Sequence, residues 1–210
     1  MDVKFDQVLA RYTQRIEAED QLWRTENPGD LFARRDEFLL PVGENVGHFL
    51  HALIIARGAK VIVELGTSYG YSTLFLADAA RQTGGKVHSF ELSADKQDYA
   101  REQLAEAGLA EYVEWHLGDA VALLDEIADG VDFVLIDLWK ELYIPCFEKL
   151  YHKLAQNGVI AADNMLEPAM SRPDAEAYRA VVGACVDLQS VLLSIGSGIE
   201  LSCLWRSGPT

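Results

Sequence analysis

Between residues 61 and 188 the chain repeats one pattern five times: a short run rich in β-branched and other apolar residues, followed by a longer stretch with apolar side chains at helical spacing. The short runs are Val61 to Leu65, Lys86 to Leu92, Val113 to Leu117, Phe133 to Leu138 and Gly158 to Asp163. The longer ones lie near Tyr71 to Gln82, Asp95 to Ala107, Asp119 to Ala128, Glu141 to Ala155 and Asp174 to Leu188. Such alternation predicts βαβ units, in which each crossover helix covers a face of a mainly parallel sheet. The tail breaks the pattern. Val191 to Ile195 and Ile199 to Trp205 flank Gly196-Ser197-Gly198, a connection so short that it implies an antiparallel hairpin at the end of the sheet.

Ahead of the first strand, residues 1–40 read as a helical lid or accessory segment, with Val8, Leu9, Tyr12 and Ile16 at helical spacing and a break at Asn27-Pro28-Gly29. The main domain is expected over 41–210, opening with a helix from Glu44 to Arg57 through Val46, Phe49, Leu50 and Leu53. A chain of 210 residues has room for one such domain and no second full one.

Charge narrows the partners. With 33 acidic against 18 basic residues, a net charge of -15 repels phosphate backbones and anionic membrane surfaces, so nucleic acid is not the expected partner. There is no apolar stretch of about 18 residues, and the N-terminus lacks the basic-then-apolar order of a signal peptide. A cytoplasmic enzyme is the expectation. Cys146, Cys185 and Cys203 are widely spaced and read as packing residues. His48 and His51 read as surface or packing histidines, and the acidic run through Glu17, Glu19 and Asp20 as a solvated helix face.

The strand ends carry the chemistry. The first runs into Glu64-Leu65-Gly66-Thr67-Ser68-Tyr69-Gly70-Tyr71-Ser72, a glycine-bearing turn that opens a helix. Gly66 and Gly70 allow a ligand close to the backbone, and the helix N-terminus, helped by Ser72, can hold a carboxylate. The spacing departs from GxGxxG, which disfavours a dinucleotide and hence an NAD-dependent dehydrogenase. Glu91, 25 positions after Gly66, stands where an acidic residue can take both ribose hydroxyls, and Gly118-Asp119-Ala120 at the third strand end can border an adenine. The fourth strand ends in Asp137-Leu138-Trp139-Lys140 and the fifth in Asp163-Asn164. Two carboxylates and an amide oxygen at adjacent strand ends suit a hard cation such as Mg²⁺, and Lys140 is placed to act as a general base. The plainer alternative makes Asp137 and Asp163 helix caps and Lys140 a surface charge.

In these residues the chain resembles the cation-dependent O-methyltransferases, the family of the catechol and caffeoyl-coenzyme A enzymes. The resemblance runs from about Phe38 and rests on Val42-Gly43, Glu64-Leu65-Gly66, Gly70-Tyr71-Ser72, Glu91, Gly118-Asp119-Ala120, Asp137 with Lys140 and Tyr143, Asp163-Asn164 and Gly198-Ile199. It implies an α/β, Rossmann-like class I methyltransferase fold: a seven-stranded, mostly parallel sheet with a C-terminal antiparallel hairpin and added N-terminal helices. It further implies S-adenosylmethionine bound by Val42, Glu64, Gly66, Thr67, Ser72, Glu91, Asp119, Ala120 and Asp137, and a divalent cation such as Mg²⁺ on Asp137, Asp163 and Asn164. Lys140 would be the catalytic base, with Trp139, Lys140 and Asn164 against the substrate.

Trp139 directly before Lys140 is similar to the catechol branch, which implies a small aromatic vicinal diol as substrate. Leu138, Ala120-Val121 and Leu192 or Leu193 depart from that branch, where polar residues stand. A homodimer is compatible with the resemblance and with the apolar N-terminal helices. Two rivals use the same crevice: methylation of a tRNA wobble nucleoside, which the acidic charge opposes, and a non-catalytic adenine-nucleoside binding protein, which would have no need of the set Asp137, Lys140, Asp163 and Asn164.

Overall fold

The computed structural model describes residues 1–205; residues 206–210, the end of the span expected as the main domain, lie outside the described residues. The strands are β1 (Val61–Leu65), β2 (Lys86–Glu91), β3 (Val113–Leu117), β4 (Val131–Ile136), β5 (Leu154–Ala162), β6 (Leu188–Leu193) and β7 (Ile199–Leu204). They form one sheet in the order β3-β2-β1-β4-β5-β7-β6. Pairing is parallel from β3 through β5, while β7 runs antiparallel to both β5 and β6, which is the fold class that the alternation and the tail hairpin imply. The order reverses between β1 and β4, so the chain departs in opposite directions there and leaves a crevice beyond their carboxyl ends.

The helices are α1 (Val3–Thr25), α2 (Pro28–Ala33), α3 (Glu44–Arg57), α4 (Tyr71–Thr83), α5 (Ala94–Glu106), α6 (Ala120–Leu123), α7 (Tyr143–Tyr151) and α8 (Arg172–Gly183). One core lies between the sheet and α1, α3, α4 and α5, built on Leu50, Ile54, Ile62, Leu74, Phe75, Leu104 and Phe133. The other joins Val63, Val134, Ile136 and Ile160 to Phe147, Leu150 and Tyr178 of α7 and α8. The alternation of β1 and β4 residues between the two cores is the period-two pattern of strands buried on both faces.

Several boundaries differ from the expectation. The helix expected from Asp119 to Ala128 is one α-turn, α6, followed by a 3-10 turn at Leu124–Glu126. The helix expected to reach Ala155 stops at Tyr151, and β5 starts at Leu154 instead of Gly158 because Leu154 pairs with Val131 across a register shift. Likewise α8 ends at Gly183, and residues from Leu188 join the hairpin opposite Leu204. In the last two cases strand pairing overrides local propensity.

Helix α1 is tied into the main core. Its Phe5, Val8 and Tyr12 are buried, and Phe5 meets Phe75 edge-on at 5.3 Å. Glu19 corrects the reading of that stretch as a solvated face: it accepts hydrogen bonds from Arg15 Nε at 2.6 Å and from the Leu39 amide at 2.9 Å, holding the segment after α2 against α1.

Candidate active site

The turn after β1 is forced by close approach. Gly66 has φ +97°, and a Cβ there would lie 2.0 Å from the Asp137 carbonyl oxygen, so only glycine lets the end of β1 pass the end of β4. Gly70 has φ +87°, and from outside the turn Tyr12 donates its hydroxyl to the Tyr69 carbonyl at 2.6 Å. The first turn of α4 has no side-chain cap, which leaves its N–H groups facing the crevice.

Glu64 holds this turn from beneath. Its carboxylate is buried and accepts Ser72 Oγ at 2.6 Å, Thr73 Oγ1 at 2.7 Å and Ser89 Oγ at 2.5 Å. Burial pushes its pKa up to about 7 against the pull of those three hydroxyls. Of the residues expected to line the cofactor site, Glu64 therefore lies behind the wall as a positioning residue.

A cavity of about 780 Å³ opens above the strand ends, within the size range of small-molecule sites. Val42, Gly66, Thr67, Ser72, Glu91, Asp119, Ala120 and Asp137 line it, together with Leu138, Trp139, Lys140 and Asn164. Glu91 accepts the Ser68 amide at 2.7 Å and the Leu92 and Ser93 amides at 2.9 Å each, which fixes its carboxylate at the cavity edge. Asp119 caps α6 by accepting the Ala122 amide at 3.0 Å.

Asp137 and Asp163 follow β4 and β5 directly, and the Asp163 amide donates to the Ile136 carbonyl at 3.0 Å, so the two acids stand side by side. Burial, and then the charge of Asp163, push the Asp137 carboxyl well above the usual carboxylate range. Burial also raises Asp163, to about 6. Asp163 Oδ1 is buried and has no hydrogen-bond partner among the described residues. Asn164 adopts φ +55°, and the loop behind it is buttressed by the hairpin turn, where the Met165 and Leu166 amides donate to the Gly198 and Ser197 carbonyls at 2.9 and 2.8 Å.

Lys140 Nζ donates to the Asp163 carbonyl at 2.7 Å and sits 3.6 Å from the centre of the Tyr143 ring. Burial lowers its pKa to about 8, although Asp137, Asp163 and Asp174 pull the other way. Trp139 stands at the mouth, 43 % exposed, with the Arg35 guanidinium 4.8 Å from its ring. Phe32, Arg35, Asp36 and Leu40 line the same cavity, and no local sequence signal marks them because they share it with Trp139 from about a hundred residues away. His48 and His51 do not converge: His51 pairs with Asp78 at 2.8 Å and His48 lies 3.5 Å from Glu44. No helix among the described residues is long and apolar enough to cross a membrane.

Comparison with known proteins identifies the family and the fold. Residues 33–202 match the O-methyltransferase family. Caffeoyl-CoA O-methyltransferase 2 of Petunia hybrida is 29% identical over 143 residues, covering 65% of this chain; the chain spans 59% of that relative's length. Caffeoyl-CoA O-methyltransferase 1 of Eucalyptus globulus is 25% identical over 192 residues, covering 82% of this chain and 78% of the relative. Among solved structures, the O-methyltransferase TomG of Streptomyces achromogenes, in complex with SAM, superposes with a TM-score of 0.76 at 21% identity, over 98% of this chain and 91% of its own. An O-methyltransferase of Bacillus cereus, in complex with SAH, gives 0.74 at 24%, over 97% and 91%. These two likenesses establish the fold.

Proposed function

The chain belongs to the O-methyltransferase family, and from that premise we propose that it moves a methyl group from S-adenosylmethionine to one hydroxyl of a small aromatic vicinal diol, beside a divalent cation. One observation carries this reading: Asp137, Lys140 and Asn164 line a cavity that also takes in the glycine turn of α4, and buried Asp163 stands directly behind them, its carbonyl holding Lys140 Nζ.

The residues fit a cation. A buried carboxylate oxygen without a partner is costly, and Asp163 Oδ1 is such an atom, flanked by a second acid whose ionisation it opposes. Asp137, Asp163 and Asn164 would hold Mg²⁺ or a similar ion through oxygen, and such an ion, when bound, lowers the pKa of a neighbouring hydroxyl.

The residues also fit the methyl donor. The uncapped N-terminus of α4 suits its carboxylate, Glu91 keeps about one lone-pair site for a ribose hydroxyl beyond the three amides it accepts, and Asp119 and Ala120 border the space for adenine. When bound, S-adenosylmethionine supplies a sulfonium methyl: the O–CH₃ bond forms as the S–CH₃ bond breaks, and that electron pair stays on sulfur to leave S-adenosylhomocysteine.

Lys140 Nζ accepts the proton of the attacking hydroxyl, from a position fixed by the Asp163 carbonyl and the Tyr143 ring. Trp139 and Leu40 wall the flat ring at the mouth and, with residues 32–40, exclude water around it. Lys140→Met tests the assignment: turnover should fall by about 10²–10⁴-fold while calorimetric affinity for S-adenosylmethionine stays close to wild type. Unchanged turnover would remove Lys140 as the base.

A further inference from the structure

A second cluster of ligating side chains lies outside the cleft, on the sheet face that α6 was expected to cover. Glu114 and His116 alternate along β3 on one face, and His88 of β2 is the register partner of Glu114. Because α6 is a single turn, this corner stays open as a cavity of about 290 Å³, lined by His88, Glu114, His116, Glu126 and Asp129. His88 Nδ1 and His116 Nε2 lie 3.2 Å apart. Glu114 places one carboxylate oxygen 3.7 Å from His88 Nδ1 and the other 4.0 Å from His116 Nε2.

Three donor atoms thus converge within 4.8 Å of one another, two of them imidazole nitrogens. Around a tetrahedral Zn²⁺ with Zn–N bonds of about 2.0–2.1 Å, two nitrogens stand about 3.3–3.4 Å apart, close to the spacing seen here. The donor set also selects the ion, since two imidazoles with one carboxylate favour a borderline metal over the hard cation that the all-oxygen set in the cleft would take. His116 is held in place by stacking on Phe90, with ring centres 4.4 Å apart and planes within 11°. His88 is mostly shielded, and its strand position is fixed on both sides by parallel pairing. Glu126 and Asp129 line the same cavity and offer a fourth ligand on its rim.

We propose that His88, Glu114 and His116 form a second metal site, for Zn²⁺ or a similar borderline cation, which staples the edge strand β3 to β2 at a distance from the methyl-transfer cleft. Phe90 links the two places, since it lines the cleft on one side and stacks on His116 on the other. Zinc would therefore stiffen the wall of the cleft without touching a substrate.

The test is calorimetric titration of the whole chain with Zn²⁺, beside Glu114→Gln, His116→Gln and Asp163→Asn. Glu114 is half exposed, so its variant keeps the fold if the histidine variant does not. The proposal expects one Zn²⁺ whose affinity drops at least about tenfold in Glu114→Gln and persists in Asp163→Asn. It also expects side-chain ¹⁵N resonances of His88 and His116 in the wild-type protein to move on adding Zn²⁺. Binding lost only in Asp163→Asn, or imidazole resonances that stay put, would overturn it and leave the two histidines as a plain N–H···N pair.

Discussion

Replacing Glu64 by glutamine should make the protein more stable at neutral and higher pH, and by an amount the structure sets. Glu64 is fully buried beneath the turn of α4, so solvent does not screen its charge. Its carboxyl has a folded pKa of about 7 against an ordinary value of 4.5, a difference equivalent to about 3 kcal/mol. Because the folded chain holds this proton more tightly than the unfolded one, the stabilisation is fully present below pH 4.5 and is lost as pH rises through about 7. Glutamine does not titrate, and like the protonated acid it is neutral, offering N–H donors and a carbonyl acceptor to the hydroxyls of Ser72, Thr73 and Ser89, which can turn to suit. Urea unfolding of both proteins between pH 4.5 and 8.5 reads the effect. The two stabilities should nearly coincide at the acid end, diverge by roughly 1.4 kcal/mol per pH unit towards 7, and then run parallel. Parallel curves across the whole range would refute the reasoning, because they would mean that Glu64 titrates alike in both states.

Gly66→Ala should destabilise the fold by at least about 2–3 kcal/mol in chemical denaturation and weaken S-adenosylmethionine binding, since the added Cβ meets the Asp137 carbonyl in a left-handed backbone. Gly183→Ala, at a helical position with open space around it, is the control and should change stability by less than about 1 kcal/mol. Trp139→Ala should raise the KM for a catechol about tenfold with a change in stability within about 0.5 kcal/mol, because the ring stands exposed at the cavity mouth and packs on no core; an unchanged KM would remove Trp139 as a substrate wall.

The features of the fold and site that are legible in the sequence are those written locally. β1 and α3 begin and end where their apolar runs do, because the runs are strongly periodic and bounded by Gly58, Lys60 and Gly66. The strand ends that carry Gly66, Glu91, Asp137 and Asp163 could be lined up because a parallel sheet brings consecutive carboxyl ends to one edge. What stayed hidden depends on contacts between distant segments. Leu154 becomes strand only because Val131 pairs with it. Glu64 resembled a ligand contact in the sequence, yet three hydroxyls from α4 and β2 enclose it. His88 and His116 are 28 positions apart and meet only through strand register, so no spacing rule marks them.

The central claim is that Asp137, Lys140, Asp163 and Asn164, beyond the ends of β4 and β5, serve methyl transfer beside a bound S-adenosylmethionine. It is tested most directly by incubating the purified chain with methyl-labelled S-adenosylmethionine and a panel of catechol, caffeic acid and caffeoyl-CoA, with Mg²⁺ and with EDTA. Label is expected in one hydroxyl of at least one diol with Mg²⁺ and none with EDTA; transfer that persists undiminished in EDTA, or a chain that binds no S-adenosylmethionine, would contradict the claim.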